Sequence, residues 1–261
     1  MSRESPPSPV EVPEQWDFYF CRVDDAPASI AMNFWYRNRA PMAEAGTLYW
    51  CKLELLVPGD DGMGDGADAE LLYPLEEAIT KQAMTLGLYH VARLRNHGRW
   101  QLFYYGPKDR ESALRRVAKR VVPSHRRHDV GSKTDQDWAC YFEFLCPDEE
   151  RWQWILDRRL VEALTDHGDP LTKPRRVDHR AAFSAEHGRA AFLTAVTELG
   201  FEAVPPEVKS TSRRRYLAQI HRVDSVELED IHNTVMALKV LAEEHGGDYQ
   251  GWETTVEKSL N

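Results

Sequence analysis

The stretch that decides the fold of the C-terminal half is RRVDHRAAFSAEHGRAAFLTAVTELGF, residues 175–201. Within its first nine residues, Arg176, Asp178 and Arg180 alternate with Val177, His179 and Ala181, which predicts a strand over 175–183. Apolar residues then recur at helical spacing as far as Leu199, and Gly200 stands where a left-handed residue commonly ends a helix. A second strand is expected over 201–208, so the stretch is a strand–helix–strand unit.

The same pattern continues on both sides of this unit. Strands are predicted over 216–223 and 252–256, and the apolar stripe between them predicts a helix that stops at Gly246. A further helix is expected to begin at Pro147, because the carboxylates after it favour the positive end of a helix dipole. Without this leading helix, the order strand, helix, strand, strand, helix, strand is the split β-α-β arrangement of ferredoxin-like folds.

The N-terminal half is also predicted to be a sheet with helices on one face. Glycine and aspartate dominate residues 58–68 and predict a loop, since glycine loses much backbone entropy on ordering and aspartate favours turns. A helix is expected over 75–86 and another over 109–122. The strands are predicted over 17–23, 29–35, 47–57, 88–95, 100–106 and 138–145.

The fold class predicted for the whole chain is therefore α+β, with two domains that each contain a mainly antiparallel sheet with helices on one face. Residues 1–15, rich in Pro, Ser and Glu, are expected to form a disordered leader. An α+β domain is expected over 16–146, and a ferredoxin-like domain over 147–261.

Charge and composition exclude several classes of function. The 261 residues contain 33 Lys+Arg and 42 Asp+Glu, a net charge of −9, and residues 147–261 hold 15 basic and 21 acidic side chains, a net charge of −6. A polyanion repels such a chain at long range, so uniform binding to nucleic acid or anionic lipid is not expected. No stretch has the length of a membrane span or the apolar run of a signal peptide, and a cytoplasmic location is expected.

No motif for a metal, a cofactor or a catalytic nucleophile is present. The four cysteines form no C-x-x-C pair, and His125 and His128 have no third candidate ligand nearby in the sequence. Phosphate-binding glycine loops and the G-x-S-x-G turn are missing. We therefore expect no metal, no cofactor and no catalytic residue.

Two alternatives to a protein-binding function stay open at this point. Direct RNA binding would use two basic clusters, Lys108–Arg127 and Lys209 with Arg213–Arg215, although such runs usually form solvated surfaces. A hydrolase would use Asp60, Asp61 or Asp65 of the glycine-rich loop together with histidines. A deep pocket lined by at least two of these side chains would support the hydrolase.

The C-terminal half resembles the regulator of ribonuclease activity B family. The resemblance rests on the order and spacing of short motifs, and the family usually has aspartate where Gln250 stands. The motifs are Gly168-Asp169-Pro170, Pro174-Arg175, Val177-x-His179 leading to Phe183, Leu199-Gly200-Phe201, and Gly246-Gly247-Asp248-Tyr249-Gln250-Gly251-Trp252.

The N-terminal half resembles an uncharacterised bacterial domain of unknown function that often precedes such a regulator-like domain. Its motifs are less specific. They are Trp16-Asp17-Phe18-Tyr19, the apolar strand before Asp61-Gly62, Glu76-Glu77, and Phe103-Tyr104-Tyr105.

The first of these resemblances implies a non-enzymatic regulator of RNA decay. Such regulators bind an RNase E-type endoribonuclease on its noncatalytic scaffold, so the implied partner is a protein. An acidic domain would be steered to a scaffold that is rich in arginine. The residues implied as family motif or partner-binding site are Gly168, Asp169, Pro174, Arg175, His179, Gly247, Asp248, Tyr249, Gly251 and Trp252.

Overall fold

The computed structural model describes residues 8–205 and 216–258. The chain divides into two compact units, Met1–Arg151 and Trp152–Asn261. Within the described residues, no helix combines the length and the apolar character needed to cross a bilayer. Each unit contains one sheet.

The first unit contains a six-stranded sheet in the order β1-β2-β4-β5-β3-β6. Every pair of neighbouring strands is antiparallel. A short 3₁₀ helix, Phe34–Asn38, follows the second strand. The strands are β1 (Trp16–Val23), β2 (Ala26–Asn33), β3 (Thr47–Glu54), β4 (Tyr89–Asn96), β5 (Arg99–Gly106) and β6 (His128–Thr134).

Two helices, α1 (Gly66–Thr85) and α2 (Glu111–Val121), cover one face of this sheet. Alternate residues of β3 and β5, such as Cys51 and Leu102, pack against apolar side chains of both helices, such as Ile79. The period of two along a strand directs the intervening side chains to the opposite face.

Helix α1 begins nine residues before the predicted start at 75. The Asp65 carboxylate accepts a hydrogen bond from the Asp68 backbone N–H at 2.8 Å and caps the helix. Pro74, a residue type that favours the first turn of a helix, lies inside α1. The N-cap aspartate, rather than the proline, therefore marks the start of the helix.

The predicted strand over 138–145 is wrong. The edge strand is β6, and Cys140–Leu145 form a π-helical segment. The fully buried residues here are Trp138, Tyr141 and Leu145, whose spacing is helical. The density of aromatic residues hid that spacing in the sequence.

The second unit contains a four-stranded antiparallel sheet in the order β10-β7-β9-β8. Its fourth strand along the chain therefore lies beside the first, and its third beside the second. This topology is the ferredoxin-like one, and the predicted α+β fold class is confirmed. The elements are α3 (Glu149–Asp166), β7 (Arg175–Phe183), α4 (Glu186–Glu198), β8 (Glu202–Ala203), β9 (Tyr216–Asp224), α5 (Leu228–Glu244) and β10 (Gly247–Thr254).

Helices α3, α4 and α5 pack on one face of this sheet, through two apolar clusters. Ala181 and Phe183 of β7 pack with α4 and α5, whereas Val177 of β7 packs with α3 and α5. Two strands differ clearly from their predicted ranges. Strand β10 begins at Gly247, before the predicted 252. Strand β8 covers only Glu202–Ala203 of the strand predicted over 201–208, whose residues 206–208 lie outside the described residues.

Candidate functional site

Asp169 and Arg175 form a buried ion pair at the start of β7. The Arg175 guanidinium donates to both Asp169 carboxylate oxygens, through Nη1 and, at 2.8 Å, through Nη2. Its Nη1 also donates to the Thr255 carbonyl at 3.1 Å, and Asp169 accepts the backbone N–H of Glu257 at 2.8 Å. The pair therefore attaches the segment after β10 to the start of β7.

The turn that carries this aspartate is determined by Gly168 and Pro174. Gly168 has φ +85° and ends α3, a conformation that a side chain would strain. Pro174 directly precedes β7 and favours extended backbone at the residue before it. Hydrogen bonds from Arg175 hold the pKa of Asp169 well below its usual range.

His179 lies on the helix-facing side of β7 and is 1% exposed. Its Nδ1 is 2.8 Å from the Tyr249 hydroxyl on β10, and its Nε2 has no hydrogen-bond partner among the described residues. Burial lowers the pKa of His179 to about 4, while the opposing carboxylates of Asp224 and Asp178 only partly offset this effect. The imidazole is therefore neutral at pH 7.

The second unit should lose stability on acidification because of this histidine. An unfolded His has a pKa of about 6.5. Below that pH the histidine binds a proton in the unfolded chain, whereas His179 in the folded unit stays neutral. The contribution of His179 to the free energy of unfolding is thus fully present above pH 6.5, and about 3 kcal/mol of it is lost as the pH drops to about 4. Hydrogen exchange of the β7 amides between pH 7 and 4 measures this loss, and His179→Asn should make the pH dependence shallower. An unchanged pH dependence in the variant would contradict the assignment.

Trp252 is buried among the helices, and its indole Nε1 donates to the Asp157 carboxylate at 3.0 Å. The same carboxylate lies 2.8 Å from His232 Nδ1 on α5 and accepts from Gln153 Nε2 at 3.0 Å. Asp157 is fully buried, and burial raises its pKa. It therefore joins α3, α5 and β10 through one carboxylate.

Sequence reasoning missed Asp157, Gln153 and His232. The buried face of α3 does not follow its apolar residues, since Leu156 is 39% exposed whereas Gln153 and Asp157 are buried. Gln153, Asp157 and Val161 follow one another at intervals of four residues, which places them on one face of the helix. This spacing was the signal in the sequence that could have identified the buried polar residues.

The glycines of the 246–252 motif shape strand β10. A Cβ at Gly247 would overlap the Phe183 ring, so only glycine allows this close approach. Gly251 has φ +120° and lies at the register shift that follows Tyr249, which is a β-bulge. The motif is thus a bulged edge strand.

Asp248 is the exposed carboxylate of this motif. The Gln250 amide, which stands where the resembling family usually has aspartate, donates to its Oδ2 at 2.7 Å. The other two side chains of this motif that carry hydrogen-bonding groups are Tyr249 and Trp252. Both form their hydrogen bonds within the second unit. The family motifs therefore shape a surface more than they present their own side chains.

That surface includes an acidic end of the second unit, where α3 and β10 end and α5 begins. Leu171 and Val226 from the adjoining loops and Leu228 at the start of α5 belong to one apolar cluster, and the end of β9 pairs with the start of β7. Carboxylates stand around this cluster, exposed or half-buried. The acidic end consists of Asp166, Glu227, Glu229, Asp230 and Glu257.

The first basic cluster, Lys108–Arg127, is partly used inside the first unit. Arg126 is buried and pairs with Asp68 at 2.7 Å, and Arg115 pairs with Glu111 at 2.9 Å. The second cluster, Lys209 with Arg213–Arg215, lies outside the described residues. The geometry therefore adds no support for RNA binding by the first cluster as a unit.

The loop carboxylates line a broad hollow rather than a deep pocket. Asp60, Asp61 and His97 border an open depression of about 830 Å³. Asp61 accepts the backbone N–H of Met63 at 2.9 Å, and Asp65 caps α1, so both carboxylates maintain local structure. No group of three metal-ligating side chains occurs among residues 8–205 and 216–258.

Comparison with protein families gives one match for each unit. Residues 14–146 match the model of a family of unknown function, DUF695. Residues 154–254 match the model of Regulator of ribonuclease activity B. None of the curated proteins matches the chain.

Proposed function

Because the chain belongs to the family of unknown function DUF695 and its second unit matches Regulator of ribonuclease activity B, we propose that it is a non-enzymatic regulator of RNA decay. It binds an RNase E-type endoribonuclease of the cytoplasm on the noncatalytic scaffold of that enzyme. The acidic end of the second unit is the surface that meets the scaffold.

The observation that carries this proposal is the charge of the second unit. Residues 152–261 have 18 acidic and 14 basic side chains, and the acidic end gathers five of the carboxylates around three chain segments. A scaffold that binds RNA is rich in arginine, so complementary charge steers the two proteins together and disfavours binding of RNA at the same arginines.

The buried motif supports the same surface indirectly. Asp169 accepts the backbone N–H of Glu257, and Arg175 donates to the Thr255 carbonyl, so the pair holds the chain after β10 beside the acidic end. Family residues that are internal can thus be required for binding, because they position a surface instead of contacting the partner.

A pair of matched variants tests the acidic end. Glu229→Gln with Asp230→Asn removes two charges there, and Glu243→Gln with Glu244→Gln removes two exposed charges from the other end of α5. We expect the first variant to bind the isolated scaffold segment about tenfold more weakly, and the second to bind like the unchanged protein. Calorimetric titration at low and moderate salt measures both affinities.

Two results would contradict the proposal. One is the absence of binding at micromolar concentrations at either salt concentration. The other is an equal loss of affinity in both variants, because this would reduce the effect to net charge and leave the acidic end without a specific role.

A further inference from the structure

A groove of about 720 Å³ lies on the sheet of the first unit, on the face opposite to α1 and α2. Its floor is formed by the side chains of β3 and β5 that alternate with the apolar core, and the π-helical segment Cys140–Leu145 contributes a wall. This volume is in the usual range of small-molecule sites.

The floor of the groove offers aromatic surface. Trp50 of β3 and Phe103 of β5 are directly opposite each other in the register and share this face. On the other side of Trp50, a Cβ at Gly131 would overlap the indole, so glycine at this position lets the ring lie across β6. Phe144, 41% exposed, lines the wall. A planar ring system can stack on such a surface.

Two amides lie in the floor beside these rings. Gln101 and Asn96 are 8% and 2% exposed, and Gln101 Nε2 donates to Asn96 Oδ1 at 2.8 Å. Gln101 Oε1 and Asn96 Nδ2 make no other hydrogen bond with the described residues. One acceptor and one donor are thus available, which is the pair of groups that the edge of a nucleobase requires.

Three cations surround the aromatic floor. Lys52 follows Trp50 by two residues on β3, Lys133 follows Gly131 by two residues on β6, and Arg99 lies on β5 at the same groove. None of the three forms an ion pair with the described parts of the chain. Same-face neighbours along a strand are about 7 Å apart, so an anionic group above the Trp50 ring lies within reach of both lysines.

Carboxylates complete the rim of the groove. Glu143 on the wall and Asp24 after β1 both line it and are exposed. A carboxylate that accepts hydrogen bonds from two adjacent hydroxyl groups is a common way to hold a ribose. The groove therefore combines groups that can stack on a ring, bond to the polar edge of that ring, accept hydrogen bonds from hydroxyls and bind an anion.

From this juxtaposition we propose that the groove of the first unit binds a nucleotide. The base stacks on Trp50 and bonds through its edge to Asn96 and Gln101, while the phosphate lies between Lys52 and Lys133. The proposal goes beyond the regulatory function, because it places a small-molecule site in a different unit and needs no ribonuclease.

Titration of the full chain with AMP, GMP, CMP and UMP tests it. At least one should bind with a Kd below about 1 mM, and its nucleoside and ribose 5-phosphate should each bind at least about tenfold more weakly. Lys52→Ala with Lys133→Ala should weaken the nucleotide at least about tenfold. Lys81→Ala with Lys119→Ala, which removes two exposed lysines on the helices of the same unit, should leave the affinity unchanged.

Gln101→Leu adds a test of the base edge: it should weaken the nucleotide and the nucleoside by the same factor, with an unchanged circular dichroism spectrum. The proposal is overturned if none of the four nucleotides binds, if inorganic phosphate alone binds as tightly as the nucleotide, or if the Lys52/Lys133 variant binds normally. Binding of single-stranded RNA without binding of any mononucleotide would also overturn it.

Discussion

Replacing Asp157 by alanine is expected to lower the free energy of unfolding of the second unit by about 3–5 kcal/mol. The substitution leaves His232 Nδ1, Gln153 Nε2 and Trp252 Nε1 without their shared acceptor in a buried position. The bonds from His232 and Trp252 join α5 and β10 to α3, whereas the bond from Gln153 lies within α3. Their loss therefore weakens the packing of α3 and α5 on the sheet together with β10. Hydrogen exchange of the β10 amides reports the unfolding of this unit.

Asp166→Ala is the matched control, since it removes an exposed carboxylate from the same helix. We expect it to change the stability by less than about 0.5 kcal/mol. If Asp157→Ala also costs less than about 1 kcal/mol, the carboxylate is not the junction of the unit.

Asp169→Ala is expected to cost about 3–5 kcal/mol, because it leaves the Arg175 guanidinium buried without a counter-charge. Arg175 is 6% exposed, and its charge cannot be solvated without opening the start of β7. The segment that contains Thr255 and Glu257 should also detach from β7. We therefore expect Asp169→Ala to weaken scaffold binding as well as stability, with faster exchange of the Glu257 amide as the local signal.

Asp178→Ala provides the comparison for this pair. Asp178 also pairs with an arginine, Arg176, at 2.7 Å, but that arginine is 54% exposed. An exposed pair contributes about 0–1 kcal/mol, so this variant should remain close to the unchanged protein. Equal losses of stability in Asp169→Ala and Asp178→Ala would contradict the role given to the burial of the Asp169–Arg175 pair.

Acid provides a second measurement of the Asp169 contribution. Its folded pKa is held below that of an unfolded aspartate, so the stabilisation is present above pH about 4 and is lost as the pH falls further. In Asp169→Asn, this part of the acid dependence should disappear. The pH range over which the contribution of Asp169 is lost lies below the range for His179. The two contributions can therefore be measured separately.

The ferredoxin-like topology could be predicted because its helices end at glycines and its strands alternate. Gly168, Gly200 and Gly246 all have positive φ at helix ends, as the pattern indicated. The strand over 175–183 coincides with β7. Local rules sufficed here because each element both begins and ends with an unambiguous signal.

The errors lie where tertiary packing decides between two local possibilities. Residues 138–145 have the aromatic content of a strand, yet Trp138 stacks on Tyr105 at 3.9 Å and Tyr141 donates to the Asn33 carbonyl at 3.0 Å. Asp135 accepts backbone N–H groups from the start of the helical turn. None of these partners is close in sequence except Asp135, so composition alone could not reveal them.

The motif positions are visible in the sequence, whereas the contacts that organise them are not. The sequence marked Asp169, His179 and Trp252 as distinctive, and the structure buries all three. It did not reveal Asp157, because a single carboxylate in a helix is usually solvated. Distinctive residues of a family motif can thus be those that hold the surface in place.

The most direct measurement is the rate at which an RNase E-type enzyme cuts a defined RNA, with and without this protein. Intact enzyme and enzyme lacking its noncatalytic scaffold should be compared, with the protein alone on the same RNA as the control. The account predicts slower cleavage by the intact enzyme, no change for the enzyme without scaffold, and intact RNA in the control. Equal inhibition of both enzymes, no inhibition of either, or cleavage in the control would contradict it.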